Sequence, residues 1–179
     1  MFAPHSFGLS TDRSINKHVV HHQPSSEEEI EQARAALSAC PVAAIRTETQ
    51  AQRSHRNEKS LTQEEQDLSK QLAISPKLNG RELPFPRPVS PSSAYPNKVY
   101  FMGHHNEKTF GAAPYLFATT AKEWILVDTP RYGKPAVDAL ERITGGTPPS
   151  YLILTHVDDT AGHGLWKEHY PDLKRIFHA

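Results

Sequence analysis

The sequence predicts an α/β protein, with helices layered on a sheet, and the clearest signal comes from residues 99–179. In that region, short apolar runs are separated by segments with helical periodicity, which is typical of a layered α/β domain. The runs are continuous rather than alternating, which favours strands covered on both faces. The hydrophobic fraction is low, at 37%, and prolines number 15, so we expect part of the remaining chain to be unpacked.

The elements of residues 99–179 follow in order. We expect strands at VYFM, PYLFAT and WILVDTP, which lie at residues 99–102, 114–119 and 124–130. A helix then begins at Pro135 and ends at Gly145, and its apolar face consists of Ala136, Val137, Leu140 and Ile143. A strand at residues 151–154, a helix that stops before Pro171 and a strand at residues 174–177 complete the pattern.

Residues 1–47 form a smaller predicted unit. VVHH at residues 19–22 reads as a short strand, and Ser25 and Ser26 each precede a glutamate at capping-box spacing. A helix with one apolar face follows and is stopped by Pro41. VAAIRT at residues 42–47 predicts a further strand.

Residues 48–98 separate the two predicted domains. Their polar and proline-rich composition predicts a disordered or extended linker. Within it, residues 61–74 could form a short helix, because Thr62 and Glu65 have the spacing of a capping box.

Charge and cysteine content exclude several classes of protein. Lys+Arg and Asp+Glu balance at 20 each, so we expect neither a nucleic-acid partner nor an anionic membrane surface. No apolar run approaches the ~20 residues that span a bilayer. A single cysteine, Cys40, excludes an internal disulfide and an all-cysteine metal cage. The prediction is an intracellular protein, cytoplasmic by default, with an organellar location left open.

The stretch THVDDTAGH, which follows the YLIL strand, is the predicted functional site. His156, Asp158, Asp159 and His163 offer imidazole and carboxylate ligands of the kind that zinc, iron or manganese accept. Asp128 follows the neighbouring strand, where sites collect in α/β sheets. The alternatives are a helix cap or turn residue at Asp128 and a polar loop without metal.

The run WILVDTP, followed by YLILTHVDD and GH, resembles the metallo-β-lactamase superfamily, as does the upstream segment YFMGHHNEKTFGAAPYLF. The resemblance implies the N-terminal half of an αββα sandwich and a metal-activated water that attacks an ester- or thioester-like bond of a small-molecule substrate. It implies that His156, Asp158, Asp159 and His163 bind metal, that Asp159 is also catalytic, and that Asp128 orders the metal loop.

Two departures from the family favour an alternative, a non-catalytic pseudoenzyme or interaction protein. Gly162 stands where the resembled branch has an aspartate, and relative to that family we expect a chain truncated at both ends.

The segment QPSSEEEIEQARAALSACPVAAI resembles the end of the ferredoxin-like segment that precedes the hydrolase domain in the same branch. An electron-transfer protein is therefore a third hypothesis. An iron–sulfur cluster needs four thiolates and the chain has one cysteine, so we expect no iron–sulfur cluster.

Overall fold

The computed structural model describes residues 2–11, 18–41, 44–47, 61–74, 76–89, 98–109, 112–158 and 160–177. The chain divides into two compact units, one of residues 1–37 with 45–84 and the other of residues 38–44 with 85–179. Among the described residues, no helix is both long enough and apolar enough to cross a membrane.

The first unit contains a two-stranded antiparallel sheet and helices. Strand β1 (Phe7–Leu9) pairs with β2 (His18–Val20), which confirms the short strand predicted there. Helix α1 (Glu27–Ala39) begins in this unit, and α2 (Gln63–Gln71) and α3 (Pro76–Asn79) follow in the segment predicted as a linker. The segments 48–60 and 90–97 of that predicted linker lie outside the described residues.

Local hydrogen bonds explain where the first helices begin. The Ser26 hydroxyl accepts a hydrogen bond from the Glu29 amide, while the Ser26 amide donates to the Glu29 carboxylate, which is a capping box. Thr62 and Glu65 form the second predicted capping box, at the start of α2. The described part of VAAIRT, residues 44–47, is not a strand, so that prediction was wrong.

A buried arginine joins α1 to the segment after α2. Arg34 is fully buried and donates hydrogen bonds to the carbonyls of Ala73 and Glu82, at 3.3 and 2.7 Å. Its guanidinium also pairs with the carboxylate of Glu31 at 2.8 Å. These bonds satisfy a cation that would otherwise be costly to bury.

The second unit is built on a six-stranded mixed sheet. The strands are β3 (Arg87–Pro88), β4 (Val99–Phe101), β5 (Tyr115–Ala118), β6 (Trp124–Val127), β7 (Tyr151–Ile153) and β8 (Lys174–Ile176), and they lie side by side in this order. Pairing is antiparallel from β3 to β6 and parallel from β6 to β8. The prediction of a mixed α/β protein is confirmed at this level.

Two helices cover one face of the sheet. Helix α4 (Lys134–Thr144) lies between β6 and β7 in the chain, and α5 (His163–His169) lies between β7 and β8. The core consists chiefly of strand residues from that face together with residues of the two helices: Leu116, Leu126, Leu152, Ala136, Val137, Leu140, Trp166 and Tyr170. Alternate strand residues such as Ile125 and Val127 are only half-buried. The described residues therefore cover this second face only in part, whereas the apolar runs predict strands that are fully covered on both faces.

Candidate functional site

The ends of three strands bring the candidate residues to one edge of the second unit. Because β4 and β6 are both antiparallel to β5, and β6 is parallel to β7, strands β4, β6 and β7 run in the same direction. Their carboxyl ends therefore lie at the same edge, which we call the strand-end edge. The loops that begin there are residues 102–106, 128–133 and 154–162. Such edges are where ligands bind in open α/β sheets.

Asp128 fixes the loop that follows β7. Its buried carboxylate accepts a hydrogen bond from the Thr155 amide at 2.9 Å, and the Thr155 hydroxyl reaches both carboxylate oxygens, at 3.0 and 2.9 Å. The Asp128 amide also donates to the carbonyl of Ile153. Asp128 has a φ of 54°, in the left-handed region that aspartate tolerates better than most residues. The carboxylate thus holds the first residue of the THVDDTAGH loop.

The two residues after Asp128 hold the far end of the same loop. The buried Thr129 hydroxyl donates to the carbonyl of Ala161 at 2.6 Å. The indole N–H of the buried Trp166, in α5, donates to the carbonyl of Pro130 at 2.9 Å. Thr129 and Pro130 were not predicted as site residues, although their position directly after an apolar strand was a usable signal.

The predicted metal ligands of this loop are placed separately. The side chains of His156 and Asp158 are 61% and 62% exposed, and the His156 Nδ1 lies 3.5 Å from a carboxylate oxygen of Asp158. The Asp158 amide donates to the same imidazole nitrogen, at 3.2 Å. Asp159 lies outside the described residues.

The last predicted ligand, His163, faces a cation. The guanidinium of Arg175 lies 2.9 Å from its Nδ1, and partial burial and this neighbouring charge lower the pKa of His163. Within the described ranges, no three His, Cys, Asp or Glu side chains come close enough together to hold a metal ion. Metal binding by His156, Asp158, Asp159 and His163, catalysis by Asp159 and loop ordering by Asp128 therefore stay predictions.

A histidine pair that the sequence analysis did not assign lies at the strand-end edge, just after β4. His104 is 4% exposed and His105 is half-buried, and the Nε2 atoms of both rings are buried without a hydrogen-bond partner among the described residues. Burial, followed by the charge of Arg131, lowers the pKa of both imidazoles, and the pKa of His104 falls to about 4. Both rings are therefore neutral at pH 7.

Cys40 also lies in this unit, at the end of α1. Its side chain is partly exposed, and Pro41 follows directly. The Arg131 guanidinium donates to the Cys40 carbonyl at 2.9 Å, and the Glu107 amide donates to the Pro41 carbonyl at 2.9 Å. The chain's only thiol is thus attached to a segment that is fastened to the loops of the strand-end edge.

Comparison with known families gives one assignment, for the first part of the chain. The family of the 4Fe-4S single cluster domain of Ferredoxin I matches residues 1–47 of the 179 residues. No curated protein matches the chain. No solved structure matches it either.

This match corrects the predicted family. The identification as a metallo-β-lactamase relative is wrong, because the matching family is a ferredoxin-type domain and the match lies outside the strands and loop that carried the resemblance. The prediction that the sheet is half of an αββα sandwich rested on that resemblance and has no other support. The ferredoxin-like character predicted for the N-terminal segment agrees with the match.

The match also overturns the expectation that no iron–sulfur cluster is involved, since the family is named for a 4Fe-4S cluster. Such a cluster is held by four cysteine thiolates, and one of the cysteines in bacterial ferredoxin patterns is followed by proline, as Cys40 is by Pro41. Cys40 fits one of the four ligand positions. The chain has no second cysteine, so its own residues do not fit the other three.

Proposed function

We propose that residues 1–47 belong to a ferredoxin-type electron-transfer domain in which Cys40 is one of four thiolate ligands of a 4Fe-4S cluster. The observation that carries the proposal is the family match over these residues, together with the Cys-Pro pair at the end of α1. The other three thiolates would come from another polypeptide segment, because this chain contains one cysteine.

The surroundings of Cys40 support its role as a ligand. The residue is partly exposed, so an incoming group can reach its sulfur. Its backbone is held by Arg131 and, through Pro41, by Glu107, so the thiol projects from a fixed point. A ligand whose backbone is already fixed loses less conformational entropy when it binds.

The test is anaerobic reconstitution of the full chain with equal amounts of Fe²⁺ and Fe³⁺, with sulfide, and with a synthetic peptide that carries three cysteines in CxxCxxC spacing. After gel filtration, we expect visible charge-transfer absorption to elute with the chain. The Cys40→Ser variant should lose this absorption. Ser38→Ala is the matched control, because the Ser38 hydroxyl is buried and makes no hydrogen bond within the described part of the chain. Equal absorption in Cys40→Ser, or none in the unaltered chain, would refute the proposal.

A second candidate function is metal-dependent hydrolysis at the THVDDTAGH loop, by a metal-bound water acting on a small-molecule ester or thioester. The observation that favours it is the fastening of this loop at the strand-end edge, by Asp128 at Thr155 and by Thr129 at Ala161. Zinc, iron or manganese suits imidazole and carboxylate ligands of this kind. The residues proposed as ligands are His156, Asp158, Asp159 and His163.

Elemental analysis and zinc titration test this second function. It predicts about one zinc per chain, lost in His156→Ala and kept in His169→Ala. His169 is a suitable control because it lies outside the proposed ligand set, with its ring 3.3 Å from the Tyr132 hydroxyl and 3.7 Å from the Glu141 carboxylate. A chain that binds no divalent metal at this loop would instead support the non-catalytic alternative, an interaction protein.

A further inference from the structure

We infer that Arg131 is a positioning residue for Cys40, which it holds at the strand-end edge through the Cys40 carbonyl. The inference rests on the proposed function only in calling Cys40 a cluster ligand. The hydrogen bond between Arg131 and the Cys40 carbonyl is present in the chain whether or not a cluster binds.

The backbone of Arg131 is fixed before its side chain is considered. Its amide donates to the carbonyl of His104 at 2.6 Å, so the loop after β6 is joined to the loop after β4. The preceding three residues are also held, because Asp128 accepts from Thr155, Thr129 donates to Ala161 and the Pro130 carbonyl accepts from Trp166. The guanidinium therefore extends from a rigid base.

From that base, the guanidinium makes a hydrogen bond to the Cys40 carbonyl at 2.9 Å. Arg131 is half-buried, so water competes less for this bond than it would at an exposed arginine. Hydrogen bonds that involve a charged group contribute about 1.5–3 kcal/mol net. A second bond, from the Glu107 amide to the Pro41 carbonyl, holds the next residue of the same segment.

The unsatisfied imidazole of His104 gives independent support for a polar site around Arg131. Its Nε2 is buried without a partner, on a ring that is more than nine-tenths buried and close enough to Arg131 for the guanidinium charge to lower its pKa. His104 also has a φ of 52°, and non-glycine residues in this region concentrate at functional sites. Arg131 thus joins Cys40 to a strained, incompletely satisfied part of the strand-end edge.

Two measurements on the iron-free chain test the inference. In Arg131→Ala, the Glu107 amide should exchange with solvent on the order of tenfold faster, because the segment that carries its acceptor is released. Alkylation of Cys40 by iodoacetamide should also accelerate several-fold. Arg131→Lys should show smaller increases in exchange and alkylation than Arg131→Ala, because lysine retains a cationic donor but lacks the guanidinium fork.

Arg142→Ala is the matched control, because Arg142 also donates to a main-chain carbonyl of this unit, that of Phe85 at 3.2 Å. It should leave the Glu107 amide and the Cys40 thiol unchanged. Exchange of the Leu126 amide in β6 reports general loosening of the sheet and should stay slow in all variants. If Arg131→Ala does not fold, Arg131→Met keeps the aliphatic stem, removes every hydrogen-bond donor of the side chain and should give the same changes.

The outcomes separate this inference from the proposed function. If exchange and alkylation are faster in Arg131→Ala but no cluster forms on reconstitution of the unaltered chain, the role of Arg131 is supported and the proposed cluster is refuted. A cluster that forms on Cys40, with exchange and alkylation unchanged in the folded Arg131 variants, would overturn the inference and leave the proposed function intact. If both hold, the cluster should also be lost several-fold faster from Arg131→Ala than from Arg142→Ala.

Discussion

Replacing Asp128 should loosen the THVDDTAGH loop and destabilise the second unit by an amount that the structure allows us to estimate. Asp128→Ala removes the acceptor of two donors, the Thr155 amide and hydroxyl. Hydrogen bonds to a charged group contribute about 1.5–3 kcal/mol each, and Thr155 is exposed, so water can replace the lost acceptor. We therefore take the lower end of this range for each bond, which gives a loss of about 3 kcal/mol in the free energy of unfolding for the two bonds.

Backbone conformation adds to this cost. Asp128 has a φ of 54°, and an alanine in the left-handed region costs about 1 kcal/mol or more. The expected destabilisation of Asp128→Ala is therefore about 4 kcal/mol. Asp128→Asn is the matched variant, because asparagine tolerates this φ and keeps an amide that can bond both Thr155 groups. Its expected cost is about 1 kcal/mol.

Urea denaturation followed by tryptophan fluorescence measures this difference. The protein has two tryptophans, Trp124 and Trp166, and both lie in the second unit, so the signal reports on that unit alone. A loss below about 1 kcal/mol in Asp128→Ala, or equal losses in the alanine and asparagine variants, would show that the carboxylate does not hold the loop as described.

Three further predictions concern pH and glycine. Hydrogen bonds from Ser25 and Ser26 lower the pKa of Glu29 to about 2. The Glu29 carboxylate therefore stabilises the start of α1 above pH 4.5, and this stabilisation is lost as the pH falls towards 2. Amide exchange in α1 should show this pH dependence, and Glu29→Gln should remove it. Burial lowers the pKa of His104 from 6.5 to about 4, so the second unit should lose about 3 kcal/mol of stability as the pH falls from 6.5 to 4. In pH-dependent urea titrations, His104→Asn should remove this part of the loss and keep the parts that the lowered pKa values of His105 and His163 contribute. Gly145 ends α4 with a φ of 63°, so Gly145→Ala should lower the stability measured by thermal unfolding by about 1 kcal/mol. Gly164 lies within α5 with open space around it, so Gly164→Ala should raise the stability by up to about 1 kcal/mol.

The sheet and its helices could be predicted because their signals are local. Apolar runs mark β4 to β7, and the helical spacing of Ala136, Val137 and Leu140 marks the buried face of α4. Pro135 and Gly145 lie at the two ends of that helix, where proline and glycine are favoured. The incomplete burial of the second face of the sheet could not be predicted, because an apolar run indicates a strand without showing what covers it.

The contacts of the candidate site could be predicted only in part. Asp128 and the loop after β7 were visible as polar residues at strand ends, but the partners of Arg131 lie 27 and 91 positions away along the chain. No local pattern indicates such contacts, because the topology of the sheet brings the loops together. His163 offered a metal ligand by its residue type, whereas its neighbour Arg175 became apparent only in the fold.

The error about the family had a different cause. THVDDTAGH is short and composed of residues that suit both metal sites and polar turns, so its resemblance carried less information than its chemistry suggested. The segment that ends in Cys40-Pro41 indicated a ferredoxin-like domain, and the family match supports this prediction. The prediction that no cluster is involved rested on the count of one cysteine. A cysteine count limits what one chain can hold alone and does not exclude a shared ligand set.

The most direct test of the account is the iron and acid-labile sulfide content of the gel-filtered chain after reconstitution with the three-cysteine peptide. With Cys40 as the fourth ligand, we expect about four iron atoms and about four sulfides per chain, and close to none in Cys40→Ser. The same content in both proteins, or none in either, would contradict the assignment of Cys40 as a ligand of a 4Fe-4S cluster.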